Sequence, residues 1–380
     1  MNEGNVGEPI SFGARPTSRA WDEIVIRFDS GGIDLGKIRE ALGRSRERSG
    51  APIERVLTVN FVATHFSQAS WEKAQIAMEA ACTVHPARLV VLIADPKSDD
   101  DSVTARVSIV RPSGAAFVME RVVLTATGKS VRHLESATYG LLVPEIPFVL
   151  VWGGRPEGEF LTRVAEQADR VIIDSGTRAA SALADVQSLL ARGNPVGDLA
   201  WARIFPWQAL AAEVLDIPNL REHRGNITGV RVVCAGEPAA EGVLLAGWFQ
   251  SRIKKAKVEL ITGPLTDTRA PSEELLQPPG QNSNPGFRLP PPPEPLVPGQ
   301  IVRLEFDAPP AHFSLYREGP LLIASVSGDD DGALVHRTRL PPDAAGRLLS
   351  LELKLLSGRD ETYVASVDAA VRLLAKQANK

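Results

Sequence analysis

Aromatic and arginine side chains are concentrated between Asp198 and Asp216, where the sequence reads DLAWARIFPWQALAAEVLD. Two of the six tryptophans of the chain, Trp201 and Trp207, lie here together with Arg203. Side chains of these types contribute most of the free energy at many protein–protein contacts. We therefore predict that Trp201, Arg203 and Trp207 contact a protein partner. The alternative is a helix that is capped by Asp198, kinked at the following proline and packed into the core, with Arg203 paired internally.

A second pair of the same kind is formed by Trp248 and Arg252, which are one helical turn apart in the segment EGVLLAGWFQSRI (241–253). This segment is apolar almost all round, which is typical of a helix buried in a core or at an interface. Trp248 and Arg252 are therefore second candidates for the partner contact.

A glycine-rich loop, with Gly153, Gly154 and Arg155, follows the apolar run FVLVW (148–152). Open α/β sheets bind ligands just beyond the carboxyl ends of their strands, so this loop is a candidate site for a phosphate or sugar phosphate. Basic residues of the 221–224 segment could assist. The loop lacks G-x-G-x-x-G spacing, and the alternative is a turn that uses glycine for its positive φ.

Patterns that would indicate catalysis or metal binding do not occur in the sequence. There is no Walker A motif, G-x-S-x-G, H-x-x-x-H or zinc-type Cys/His spacing. Runs of aspartate at 99–101 and 329–331 lack the alternate spacing of a calcium loop and are typical of solvated turns. His223 lies in a charged segment that we interpret as a surface loop rather than a general base. We expect a binding protein without cofactor or metal, rather than an enzyme.

The formal net charge of −4 over 380 residues gives no support for binding to nucleic acid or to an anionic membrane. No run of 18 apolar residues predicts a membrane span, and the first 19 residues lack the apolar stretch of a signal peptide, so we expect a cytoplasmic protein. Cys82 and Cys234 fall on a predicted helix and a predicted strand, where each resembles a small buried apolar residue. We expect no disulfide between them.

The order of predicted elements indicates an α/β protein. Residues 51–262 alternate strands and helices around one hairpin, which predicts a layered domain with a mixed sheet. Residues 263–300 contain 11 of the 29 prolines and are interpreted as an extended linker, with a PxxP ligand as the alternative. Residues 301–380 predict a smaller α+β domain with an antiparallel sheet. Residues 1–50 predict an N-terminal extension with one basic helix, Asp34–Arg48.

Several segments resemble the glucose-6-phosphate dehydrogenase assembly protein family, OpcA. The Trp-rich segment is the most specific, and VLLAGWFQSRI (243–253), RVLTVNFVA, HPARLVVLIADP, PFVLVWGGRP and DRVIIDS also match the family. The resemblance covers residues 50–262 well and the C-terminal part more loosely. It implies a non-catalytic assembly factor and allosteric activator of glucose-6-phosphate dehydrogenase, with the NADP site on the enzyme. Cyanobacterial members are linked to thioredoxin through a cysteine pair, whereas this chain has only two distant cysteines.

Overall fold

We analysed a computed structural model of the chain. The structure describes residues 19–20, 23–28, 32–50, 57–83, 85–112, 115, 117–153, 159–177, 179–218, 221–263, 296–327, 333–341, 345–353 and 358–378. Within these ranges, the strands β1–β15 are Arg19–Ala20, Ile24–Phe28, Val59–His65, Ala87–Asp95, Val103–Arg111, Met119–Thr127, Phe148–Trp152, Arg170–Ile173, Val196–Asp198, Gly229–Ala235, Lys257–Gly263, Ile301–Ala308, Ala311–Glu318, Leu321–Ser327 and Ala333–Arg339. The helices α1–α9 are Leu35–Ser49, Gln68–Ala81, Leu134–Leu141, Glu159–Gln167, Leu183–Ala191, Leu199–Asp216, Ala240–Arg252, Ala345–Leu353 and Glu361–Ala378.

The first sheet contains nine strands in the order β1-β5-β6-β4-β3-β7-β8-β9, and β2 also pairs with β5. The six strands from β6 to β9 in this order are parallel, whereas β5 runs antiparallel to β6 and to the short N-terminal strands. Every residue of β3 is buried, including the polar residues Asn60, Thr64 and His65, as expected for a central strand that is covered on both faces. The chain leaves β3 toward β4 on one side and returns to β7 on the other, so the topological switch point lies between β3 and β7.

The second sheet contains six strands in the order β11-β10-β12-β13-β14-β15. Strands β10 and β11 are parallel, and the remaining pairs are antiparallel. Alternate residues of β12 and β13 are buried, as expected for a sheet with one covered face. Phe249 of α7 stacks edge-on against Phe306 of this sheet. The predicted α/β class is confirmed, but the second sheet is mixed rather than antiparallel.

The chain forms two compact units that differ from the predicted division. One unit contains residues 1–177, 185–202 and 343–360, and the other contains 178–184, 203–342 and 361–380. The first 50 residues contribute β1 and β2 to the first sheet, so they are not a separate extension. The predicted boundary at 263–300 separates two strands that pair, β10 and β12, because strand pairing joins segments that are distant in sequence. Residues 264–295 lie outside the described residues, so the linker stays a prediction.

Local signals located most elements correctly. Helix α1 begins after Asp34, whose Oδ1 accepts hydrogen bonds from the N–H groups of Gly36 and Lys37. A 3₁₀ segment at 128–133 directly precedes α3. Helix α6 continues through Pro206 and does not end there. Ile204, Trp207 and Leu210 of this helix are buried, so tertiary packing outweighs the donor that proline removes.

Both cysteines are buried free thiols. Burial raises the pKa of the Cys82 thiol well above its usual range, and it raises that of Cys234 to about 12. Each thiol is thus held protonated and behaves as an apolar side chain, as the sequence predicts. Among the described helices, none combines the length and the apolar character that crossing a membrane requires.

Candidate functional site

The first turn of α6 is held by a buried carboxylate. Asp198 has no exposed surface and ends β9, so the helix starts directly from the sheet. Its Oδ1 accepts hydrogen bonds from the N–H groups of Ala200 and Ser175, each at 3.0 Å, and its Oδ2 accepts one from Ser175 Oγ at 2.6 Å. The predicted N-cap is therefore confirmed. It also fixes the direction in which the helix leaves the sheet.

A buried ion pair lies beside this cap in the same unit. The Nη2 of Arg170 is 2.7 Å from Oε2 of Glu352, and its Nη1 donates to the carbonyl of Gly358 at 3.0 Å. Gly197 makes room for the pair, because a Cβ there would overlap the Glu352 carboxylate. Burial raises the pKa of Glu352 in spite of Arg170, and the negative charges of Asp198 and Asp360 add to the rise.

The three predicted contact residues differ in their surroundings. Trp201 is half-buried, and its Nε1 donates to Oδ2 of Asp360 at 3.0 Å. The side chain of Arg203 is 10% exposed, with its Nη1 3.4 Å from Oε1 of Glu241. Trp207 is only 5% exposed. The structure thus pairs Arg203 internally and packs Trp207 in the core, as in the alternative interpretation.

Phe205 is the large apolar side chain that α6 presents to solvent, with 65% of its surface exposed. Its neighbour Ile204 is buried, so the two side chains lie on different faces of the helix. The signal was present in the helix periodicity. Phe205, Ala209 and Ala212 recur at i, i+4 and i+7, out of phase with the buried residues Ile204, Trp207, Leu210, Ala211 and Val214.

The second pair of predicted contact residues lies on α7. Trp248 is half-buried, and its ring centroid is 4.6 Å from that of Phe249. Arg252 is exposed, and its Nη2 donates to Oγ1 of Thr362 in α9 at 2.7 Å. Both side chains retain surface that another molecule could reach.

The predicted ligand loop begins at the switch point of the first sheet. Gly153 is exposed and directly follows β7, whereas Gly154 and Arg155 lie outside the described residues. A Cβ at Gly153 would come within 2.7 Å of the carbonyl oxygen of Thr64 and 2.9 Å of Cε1 of His65. Close packing against β3 therefore requires this glycine, rather than a positive φ.

Polar side chains at the ends of β3 and β7 were not predicted from the sequence as site residues. The Nδ1 of His65 lies 3.0 Å from Oγ of Ser70, and burial lowers the pKa of His65 to about 4. Thr64 and Trp152 are paired across β3 and β7, and on this face Thr64 Oγ1 and Trp152 Nε1 are buried without a hydrogen-bond partner among the described residues. His65 follows Thr64 in β3, so its side chain lies on the opposite face of the sheet. The pairing of Thr64 with Trp152 could be found only with the strand register known.

The remaining polar candidates are engaged internally or do not cluster. Arg221 and Arg224 both bond to Asp216, through its carbonyl and its carboxylate respectively. Their part in ligand binding at the loop at 153 stays a prediction. Within the described ranges, no group of three or more His, Cys, Asp or Glu residues could hold a metal ion.

Two family descriptions match the chain. The glucose-6-phosphate dehydrogenase subunit N-terminal domain matches residues 78–190, and the corresponding C-terminal domain matches residues 194–367. An OxPP cycle protein OpcA of Synechocystis is 26% identical over 179 residues, and one of Nostoc punctiforme is 28% identical over 179 residues. Each alignment covers 45% of this chain and 38% of the relative. The chain thus spans less than two-fifths of the length of these relatives.

Two solved structures are similar to the chain at low sequence identity. A 3-ketoreductase from Actinomadura kijaniata in complex with TDP-benzene and NADP has a TM-score of 0.44 and 10% identity, covering 84% of this chain and 96% of the enzyme. An aldose-aldose oxidoreductase from Caulobacter crescentus has a TM-score of 0.41 and 10% identity, covering 84% of this chain and 98% of that one.

Proposed function

Since the chain belongs to the OpcA family of glucose-6-phosphate dehydrogenase assembly proteins, we propose that it is a non-catalytic subunit that binds glucose-6-phosphate dehydrogenase, promotes its oligomeric assembly and raises its activity. The observation that carries the proposal is the match of both family domains, over residues 78–190 and 194–367. Hydride transfer and NADP binding then belong to the enzyme.

The exposed face of α6 is the surface that we assign to this contact. Phe205 projects from a helix whose first turn is fixed by the buried Asp198. A single exposed apolar side chain is ordinary on a protein surface, so exposure alone would not identify a site. Its position in the family's most specific segment supports the assignment, because a rigidly held aromatic loses little conformational entropy on binding. Ala209 and Ala212 would let the partner approach the helix closely.

The other predicted contact residues have different roles in this proposal. Trp201 contributes its half-exposed ring, while Arg203 and Trp207 hold the helix from within. Trp248 and Arg252 offer a separate contact on α7. Activation requires that this surface binds the active oligomer more tightly than the inactive enzyme, since only differential affinity shifts an equilibrium.

The test is the rate of the dehydrogenase from the same source against glucose 6-phosphate concentration, with and without this protein, at several enzyme concentrations. We expect co-elution in size exclusion and a lower KM or higher kcat. If the protein acts through assembly, the gain should shrink at enzyme concentrations where the dehydrogenase is already fully oligomeric. An unchanged rate with no complex would contradict the proposal.

A second candidate function is binding of a small polar ligand at the switch point between β3 and β7. Trp152 Nε1 and Thr64 Oγ1 favour it, because both are buried without a partner among the described residues, whereas buried polar groups normally have one. Thermal unfolding with glucose 6-phosphate, 6-phosphogluconate or NADP tests it, since a ligand that binds only the native state raises Tm. Replacement of Trp152 by Phe, which removes the donor, should abolish the shift. A ligand-induced shift that survives this replacement would place the ligand elsewhere.

A further inference from the structure

A groove of about 460 Å³ lies between α7 and α9, within one compact unit. Its floor is formed by Ala365, Ala369 and Leu373 of α9. The two alanines leave space that longer side chains would fill. Pockets of small-molecule size commonly range from about 300 to 1,000 Å³ and occur between packed helices.

Three basic side chains line this groove: Lys254, Arg372 and Lys376. Lys254 follows the end of α7, whereas Arg372 and Lys376 are four residues apart on α9 and share a face. All three are exposed, and the structure gives none of them an ion pair or hydrogen bond among the residues it describes. Like charges at this helical spacing repel each other.

Helix geometry explains only part of this arrangement. Lys376 lies in the last turn of α9, where a cation interacts favourably with the helix dipole. Arg372 is more than one turn from that end, and the dipole effect is confined to the last turn. Asp368, four residues before Arg372 on the same helix, balances one positive charge, so the dipole and this carboxylate account for only part of the positive charge at the groove.

The remaining polar groups of the groove suit hydroxyl-bearing ligands. Gln250 offers an amide that can donate and accept. Ser251 Oγ donates to the carbonyl of Trp248 at 2.7 Å, so its oxygen remains able to accept. Asp368 supplies one carboxylate against the three cations. The groove thus has a surplus of two positive charges.

We propose that the α7–α9 groove is a binding site for a small phosphorylated metabolite, whose phosphate pairs with Lys254, Arg372 and Lys376 and whose polar body lies over the alanine floor. A phosphate monoester carries about −1.5 to −2 charges at pH 7, which matches the surplus of the groove. Charge-assisted hydrogen bonds from Arg and Lys are the usual means of holding such a group. No aromatic and only one large apolar side chain lines the groove, which disfavours a protein segment as the occupant. The site does not depend on the proposed dehydrogenase contact.

The test is calorimetric titration of the full chain, without the dehydrogenase, against inorganic phosphate, glycerol 3-phosphate, glucose 6-phosphate, adenosine monophosphate and glucose. We expect saturable binding of at least one organic phosphate, no binding of glucose, and weaker binding of inorganic phosphate. Each of Arg372→Ala and Lys376→Ala should weaken binding at least about tenfold, because a charge-assisted contact is lost. Lys255→Ala is the matched control, since Lys255 is an exposed neighbour that does not line the groove.

Three results would overturn the proposal. The first is the absence of saturable binding for every phosphate in the panel. The second is equal affinity for inorganic phosphate and the organic esters, which would show that contacts between the ester and the groove floor add nothing to binding. The third is binding that Lys255→Ala weakens as much as Arg372→Ala does, which would indicate attraction by the general surface charge. These titrations contain no dehydrogenase, so their outcome does not depend on the proposed contact at Phe205. A Phe205 variant that no longer activates the dehydrogenase should bind the phosphates as the wild type does.

Discussion

Arg170 and Arg372 illustrate two opposite uses of the same side chain. Arg170 is among the largest fully buried side chains of the described residues and is bonded to Glu352 and to a backbone carbonyl. Arg372 stands exposed in a groove with other cations and has no acidic partner among the described residues. The difference indicates where charge maintains the architecture and where it is available to another molecule. Buried charge must be paired, whereas exposed charge need not be.

Removal of the partner of Arg170 should produce the largest effect. We expect Glu352→Ala to lower the free energy of unfolding by about 3–5 kcal/mol, because it leaves a buried guanidinium without its counter-ion. Urea titration followed by circular dichroism measures this loss. A loss as small as that caused by substituting an exposed residue would show that water reaches Arg170. Arg170 and Arg372 would then not differ in this respect.

His65, a buried titratable group, has no counter-ion among the described residues and extends the same comparison. The pKa of His65 is lowered to about 4 from an ordinary value of 6.5. Between these pH values, His65 is therefore protonated in the unfolded chain and neutral in the folded chain. The free energy of unfolding should therefore fall by about 3 kcal/mol as the pH decreases from 6.5 to 4. Below pH 4, His65 should cause no further loss.

The measurement is the difference in unfolding free energy between the wild type and His65→Gln across this pH range. The wild type should lose more stability than the variant as the pH falls, with the two profiles running parallel above pH 7. Profiles that stay parallel down to pH 4 would contradict the burial argument.

The exposed aromatic of α6 should affect binding but not folding. Phe205→Ala is expected to weaken the complex with glucose-6-phosphate dehydrogenase by about 2 kcal/mol and to change stability by less than about 0.5 kcal/mol. Phe66→Ala is the matched control, because Phe66 is similarly exposed, at 62%, and lies outside this helix. Equal losses of affinity for the two variants would remove the assignment to α6.

Replacement of Arg372 should give the smallest effect on stability. Arg372→Ala removes an exposed charge that lacks an acidic partner among the described residues, so we expect a change within about 0.5 kcal/mol in thermal or urea unfolding. A large loss would mean that Arg372 supports the fold in the way that Arg170 does.

Sequence reasoning located elements better than it grouped them. The buried run of β7 and the cap of α1 are local signals, because composition and one hydrogen-bonding side chain determine them. Pairing of β10 with β12 is not local, since it joins segments about 70 residues apart. The candidate site shows the same contrast between local and non-local signals. The richness of α6 in aromatics was visible in the sequence, but whether Trp207 or Phe205 is exposed depended on the phase in which the helix packs.

The interleaving of the two units has a consequence for synthesis on the ribosome. Strands β10 and β11 emerge before residue 264, yet the strand that pairs with β10 begins at Ile301. The first unit is likewise completed by α8, and the second by α9. At roughly 5–20 residues per second, the nascent chain spends several seconds or more with an unpaired edge of β10 accessible. Neither unit can reach its final packing until its last helix, α8 or α9, has been synthesised.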